Sequence, residues 1–284
     1  MSLRIAAPTY IFRDRMPQEM ERILDDLAGI GYEGVELAGF FGHSPEMVQK
    51  ALSNSGLVPA GNNAPIYELM KDPAGAVAIH KELGFYSLTA GGLREEHLPG
   101  GERYAETLEW MEELGTLCRE AGIRFLYHNH WKEVKWRSEG LPLLDILLRD
   151  LDPSLLSLQP DLGWMQIGGA DPLAYLARYR DRCPMIHVKD FYAADIEKIG
   201  DPFDLNGARG GMERGNFEFR PTGYGISNIP AQIPAIRACR PDWIVTCHDN
   251  SYERDRLEDL RLCYAYLSRL LAISDVGDSC EREA

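Results

Sequence analysis

The sequence predicts an α/β fold: a single (β/α)8 TIM barrel over residues 1–274, with a long loop after the seventh strand and a polar C-terminal tail over 275–284. Three observations predict it. Helix-like stretches repeatedly end at a glycine, and a short apolar run follows at once. Eight such runs occur, and their starts are spaced by about 34 residues, which is the length of a strand–helix unit. After the first run the chain reads Ala7-Pro8-Thr9-Tyr10, without the glycine-rich phosphate loop that a doubly wound open sheet usually carries there.

In order along the chain, the candidate strands are 3–9, 33–38, 57–61, 85–90, 123–128, 155–160, 184–189 and 243–248. Gly31, Gly56, Gly84 and Gly122 precede the second to fifth and are placed to end helices in the left-handed conformation that glycine adopts without a Cβ penalty. Between the runs lie apolar stripes of helical period: Met20, Ile23, Leu24 and Leu27 form one, and Tyr104, Leu108, Met111 and Cys118 another. Ser44-Pro45 and Asp171-Pro172 pair an N-cap residue with proline at the first helical position. One connection breaks the rhythm. Between Asp190 and the helix near Ile229 lie residues rich in Gly, Asp, Arg and aromatics, and a long insertion at this end of a barrel usually covers the site. Arg209 and Arg214 within it are candidates to grip a phosphate.

Composition narrows the function. With 44 acidic against 30 basic residues the formal charge is −14, which opposes nucleic-acid or anionic-membrane binding. No run of 18 apolar residues is present, and Arg4, Arg13, Asp14 and Arg15 interrupt any apolar leader. Six cysteines without a CxxC read as reduced thiols of a cytoplasmic protein. No nucleic-acid and no membrane partner is expected; a homo-oligomer is compatible with this composition.

In a barrel, chemistry collects where strands end. Glu36 ends the second run, Asn62-Asn63 follow the third, His128-Asn129-His130-Trp131-Lys132-Glu133 the fifth, and Asp161-Leu-Gly-Trp164 the sixth. The seventh delivers His187-Val-Lys189-Asp190 and the eighth Cys247-His248-Asp249. Four of seven histidines thus fall at three strand ends. Imidazoles with carboxylates suit one divalent metal ion, with Zn²⁺, Mn²⁺, Fe²⁺, Co²⁺ or Mg²⁺ as candidates. Period-two alternation places His128 with His130, and His187 with Lys189, on common sides. Each residue has a plainer reading: Asp161 as a helix cap, His187 as a hydrogen-bonded core histidine, Lys189 as the partner of Asp190 or Glu36. His128, Asn63 and Trp164 are placed as substrate-binding residues.

These motifs are what makes the chain resemble the xylose isomerase-like barrel superfamily, in its sugar phosphate isomerase/epimerase branch, which includes inosose dehydratase-like proteins. The resemblance runs through Gly31-Tyr-Glu-Gly-Val-Glu36, Tyr127-His-Asn-His-Trp-Lys-Glu133, Asp161-Leu-Gly-Trp-Met-Gln-Ile-Gly-Gly-Ala-Asp-Pro172 and Ile186-His-Val-Lys-Asp190. It implies a divalent metal held by Glu133, Asp161 and His187, and a base at His130, with Glu36 second; Lys189 lies in the matching His-x-Lys-Asp motif. At the eighth strand Cys247 stands where the family carries glutamate. His248 is the expected fourth ligand, with Cys247 or an open position as alternatives. The implied activity is an isomerase, epimerase or dehydratase (lyase) acting on a sugar, keto-sugar or cyclitol by α-proton abstraction through a metal-stabilised enediolate. A non-catalytic sugar-binding barrel and a metal-dependent phosphodiesterase of the same superfamily are the alternatives.

Overall fold

The computed structural model describes residues 3–196, 199, 217–247 and 249–282, with side chains of the last helix through 273. All eight candidate strands form: β1 Arg4–Pro8, β2 Gly34–Leu37, β3 Val58–Asn63, β4 Ser87–Gly91, β5 Arg124–His128, β6 Ser157–Gln159, β7 Met185–Ala193 and β8 Trp243–Cys247. β1 to β6 pair in parallel in chain order, β7 pairs with β8, and β8 with β1. Between β6 and β7 a single parallel bridge, Asp161 to His187, closes the ring. Closure therefore falls on two of the residues singled out for chemistry.

The helices between strands form for the reasons their sequences suggest. Met20, Ile23, Leu24 and Leu27 are buried along the helix Met16–Ile30. On Tyr104–Ala121, Met111 and Cys118 are buried, and Tyr104 and Leu108 pack against the core. Ser44 accepts from the Met47 amide, and Asp171 from that of Leu173, so both N-caps are made. Gly31, Gly56, Gly84 and Gly122 all have φ between +71° and +117°, as helix-ending glycines.

The connection after β7 is not all loop. β7 continues to Ala193, and Phe217–Arg220 returns antiparallel to it, Phe217 opposite Ala193 and Arg220 opposite Asp190. Alternating Phe217 and Phe219 are buried against Trp164 and Phe191, which is the apolar surface that holds this extra strand in place. The Asp190 carboxylate accepts from the amides of Phe191, Gly223, Gly225 and Ser227, pinning the rest of the return. Arg209, Arg214 and His248 lie outside the described residues. The final helix, Arg256–Arg282, carries its backbone through most of the stretch expected as a polar tail, because helical hydrogen bonds are local and need no packed partner to continue.

Inside the ring, the lower layer is apolar: Ala6, Ala60, Leu126, Met185, Trp243 and Val245 form one buried cluster. Trp243 fills it so closely that a Cβ on Gly34 would come within 2.7 Å of its ring, and Arg4 lies over the ring at 3.9 Å. At the other end of the ring, β2, β5, β6, β7 and β8 deliver polar side chains. Among the described residues no helix is long and apolar enough to cross a membrane.

Candidate metal and proton-transfer site

Alternation along each strand sets which side chains enter the upper layer. On β5, Leu126 faces inward in the lower cluster, so His128, two residues on, faces inward above it. On β7, Met185 is inward, which brings His187 and Lys189 to the same side. Beyond β6, Asp161 stands two residues after Gln159 and shares its side. On β8, Val245 is inward, and Cys247 follows it.

Three of these groups converge. His128, Asp161 and His187 each offer a ligand atom, all within 4.8 Å of one another, and all three are buried. His128 Nε2 and His187 Nδ1 each lie 3.9 Å from Asp161 Oδ2. Asp161 is held from two sides: its amide donates to Asn129 Oδ1 at 3.0 Å, and its Oδ1 caps the helix Leu162–Ile167 through the Trp164 amide at 2.9 Å. The capping reading of Asp161 is thus correct for Oδ1, while Oδ2 faces His128, His187 and the Lys189 ammonium, the last at 3.0 Å. His187 Nδ1 is buried without a hydrogen-bond partner, while its Nε2 lies 2.8 Å from Glu36 Oε2. Burial, reinforced by the neighbouring His187, His130 and Lys189, holds His128 well below the ordinary imidazole value, and a neutral ring is the form that can ligate. Two imidazoles and a carboxylate whose buried donor atoms converge, one of them the unpartnered His187 Nδ1, fit a divalent first-row transition metal.

Lys189 supplies the positive charge of this layer. Its Nζ sits 2.8 Å from Asp249 Oδ2 and 3.0 Å from Asp161 Oδ2, and 4.5 Å above the Trp164 ring. Burial penalises the ammonium, but Asp161 and Asp249 more than offset that penalty, raising its pKa so that it stays protonated. Gly163 makes the approach possible, since a Cβ there would lie 2.8 Å from Lys189 Cβ. Lys189 therefore pairs with neither Asp190 nor Glu36.

The other predicted residues separate into those inside this layer and those beside it. Glu36 is buried in it, with Oε2 at 2.8 Å from His187 Nε2 and Oε1 accepting from Gln159 Nε2 at 2.6 Å. His130 is partly exposed; its Nδ1 is buried and unpartnered, and its ring lies 5.0 Å from that of His128. Desolvation lowers its pKa, leaving a neutral imidazole. Trp164 is buried at 5.8 Å from the His130 ring. Glu133, expected as a metal ligand, is not among the converging groups: one oxygen accepts from the Tyr127 hydroxyl and the other from the His130 amide. The spacing His130-x-x-Glu133 is a helix start, and the first turn of Trp131–Lys135 uses the carboxylate to satisfy its own backbone. His128, expected to contact substrate, stands beside Asp161, its Nε2 3.9 Å from Oδ2. Asn63 ends β3 opposite Thr89, and the hydrogen bonds within the described site do not involve it. Cys247 is buried, its thiol raised by desolvation and 3.7 Å from Asp249 Oδ1.

Gln159, and any role for Asn129, escaped the sequence analysis. Gln159 carried a usable signal, since it stands two residues before Asp161 and must share its face. Asn129 stands within the strand-end motif, but no role could be read for it there, because its partner is 32 residues away.

Residues 24–265 match the xylose isomerase-like TIM barrel family. The chain belongs to that family. Among curated relatives of this xylose isomerase-like barrel, the inosose dehydratase of Lacticaseibacillus casei is 26% identical over 268 residues, covering 84% of this chain and 87% of the relative. A sugar phosphate isomerase/epimerase from Parabacteroides distasonis superposes with a TM-score of 0.71 at 21% identity, over 94% of each chain. The IOLI protein, solved with a zinc atom, superposes at 0.69 with 12% identity, over 95% of this chain and 98% of its own. These superpositions establish the shared barrel.

Proposed function

We propose that this xylose isomerase-like barrel is a metal-dependent enzyme that removes a proton from the carbon next to a carbonyl in a sugar, keto-sugar or cyclitol. The observation that carries the reading is the convergence of His128, Asp161 and His187, with the Lys189 ammonium against Asp161 and a neutral His130 beside it. The Lacticaseibacillus casei relative, an inosose dehydratase, supports the cyclitol or keto-sugar class and the lyase outcome.

His128, Asp161 and His187 would hold the metal, whose chemistry there is to polarise a carbonyl and an adjacent hydroxyl. The zinc atom in the IOLI protein supports a divalent ion of that kind. His130 is the base: its ring is uncharged and its buried Nδ1 makes no hydrogen bond. Abstraction leaves negative charge on the former carbonyl oxygen, and Lys189 stabilises it as a fixed cation in a dry layer. Trp164 and Phe219 flank the ammonium at 4.5 and 5.3 Å and keep water from it. Glu36, with both oxygens engaged in the layer, serves orientation better than proton abstraction. Return of the proton to another carbon or face gives an isomerase or epimerase; departure of a β-hydroxyl gives a dehydratase.

Metal analysis of the purified protein, followed by NMR of deuterium incorporation from D₂O into ketoses, inososes and 3-keto-sugars, tests the reading. Bound divalent metal with exchange at a carbon α to the carbonyl is expected. A metal-loaded protein that exchanges no member of the panel would overturn the catalytic reading in favour of a sugar-binding barrel.

A further inference from the structure

We propose that Gln159 and Glu36 are positioning residues that decide which nitrogen of His128 carries its proton, and so present the other nitrogen to Asp161. The consequence for metal binding rests on the function proposed above; the geometry does not.

The argument is one of hydrogen-bond polarity. A glutamine amide has a donor end and an acceptor end of nearly the same shape, so its neighbours must settle which is which. Here Glu36 settles it. A carboxylate oxygen only accepts, and Glu36 Oε1 stands 2.6 Å from one end of the amide, so that end is the NH₂ group. The other end, facing His128 Nδ1 at 3.0 Å, is then the carbonyl oxygen, which also only accepts. His128 must therefore carry its proton on Nδ1. Its Nε2 keeps the lone pair, and Nε2 is the atom directed at Asp161 Oδ2, 3.9 Å away.

The arrangement is confined on every side. Gln159 is fully buried and Glu36 nearly so, which leaves no solvent to exchange with either bond. Met185 Sδ packs at 2.8 Å from Gln159 Nε2, holding the amide from below. The second oxygen of Glu36 lies 2.8 Å from His187 Nε2, so one carboxylate from β2 touches His187 directly and reaches His128 through Gln159. Strands β2, β5, β6 and β7 are thereby tied across the barrel beneath the converging groups. A leucine at 159 would fill the space, but it would supply no polarity, and His128 would be free to adopt either tautomer.

The test reads the tautomer first, on metal-free protein. With ¹⁵N-labelled histidine, long-range ¹H–¹⁵N correlation distinguishes the two neutral tautomers, and His128→Gln assigns the signal. Wild type is expected to show Nδ1–H at His128. Glu36→Gln, nearly isosteric, releases the amide to turn, and the Nδ1–H population should fall. Zn²⁺ affinity, measured by chelator competition, should fall with it by about 10–100-fold, the usual cost of losing an outer-shell partner. The double variant Glu36→Gln, Gln159→Glu exchanges donor and acceptor but keeps an acceptor facing His128 Nδ1; it should restore the tautomer and bring Zn²⁺ affinity back to within a few-fold of wild type. An Nε2–H tautomer in wild type, or an unchanged tautomer in Glu36→Gln, overturns the proposal. If the tautomers respond as stated while wild type binds no Zn²⁺, the positioning role stands and the metal-dependent function fails.

Discussion

The lower and upper halves of the barrel interior are built by the same strands and face opposite demands. Below, Ala6, Ala60, Leu126, Met185, Trp243 and Val245 fill the interior with apolar atoms, and Arg4 lies over the Trp243 face. Above, one or two residues further along, Glu36, His128, Gln159, Asp161, His187 and Lys189 are almost as thoroughly buried, yet His187 Nδ1 has no hydrogen bond and Asp161 Oδ2 is met by the Lys189 ammonium. Burying unsatisfied polar atoms costs stability, typically about 1–3 kcal/mol each. The lower half repays cost of that kind by apolar burial, and the upper half is where a ligand can complete the bonding. The difference separates the residues that keep the barrel folded from those that are available for chemistry.

Four measurements would break or sharpen that separation. The largest effect is expected at His130. His130→Ala should lower α-carbon exchange by about 10²–10⁴-fold, as general-base removal typically does, while metal content stays near wild type. Exchange near the wild-type rate would move the base elsewhere.

Trp243→Ala is the counterpart in the lower layer. Emptying this site should cost about 3–5 kcal/mol, read from denaturant unfolding. Zn²⁺ affinity of the folded variant should stay within a few-fold of wild type; a large loss would show that the two layers are coupled.

Asp161→Asn preserves an oxygen for the Trp164 amide and removes the charge facing His128 and His187. Zn²⁺ affinity should drop by more than about 100-fold, beyond the usual outer-shell loss, with the helix start intact by circular dichroism. Retained affinity would remove Asp161 from the ligand set.

The smallest effect is in the pH dependence of stability. Burial lowers the pKa of His128 and His130 in the upper layer, and of His80 on the outer helix Pro73–Glu82. Below about pH 6.5 the unfolded chain binds more protons than the folded one, so stability is complete above that pH and declines as pH falls. The slope should approach about 1.4 kcal/mol per pH unit for each such histidine. His80→Gln and His128→Gln should each flatten it between pH 7 and 5. An unchanged slope in His128→Gln would mean that the ring is not held neutral.

The fold was legible because its signals are local. A left-handed glycine such as Gly56 or Gly122 ends a helix through its own backbone freedom, and a stripe such as Met20–Leu27 follows from the helical repeat. Eight repeats of that grammar leave little besides a closed barrel, and strand ends then mark one rim for function. Asp161, His187 and Lys189 were readable on this basis, each by its position at the end of a strand.

What the sequence by itself determined is therefore the barrel, the rim where polar side chains gather and the kinds of donor atom found there. Tertiary structure decided which donors meet. Glu133 lies three residues from His130, and that nearness commits its carboxylate to a helix start and to Tyr127. His128 and Glu36 come together only through Gln159, 123 residues after Glu36 in the chain. Lys189 finds Asp249 sixty residues on, past the nearer Asp190, whose oxygens the returning backbone amides have already taken. The physical reason is the same in each case. Alternation and capping are properties of a few successive residues, whereas the pairing of buried polar atoms depends on which strands ring closure sets face to face, and no local pattern records that.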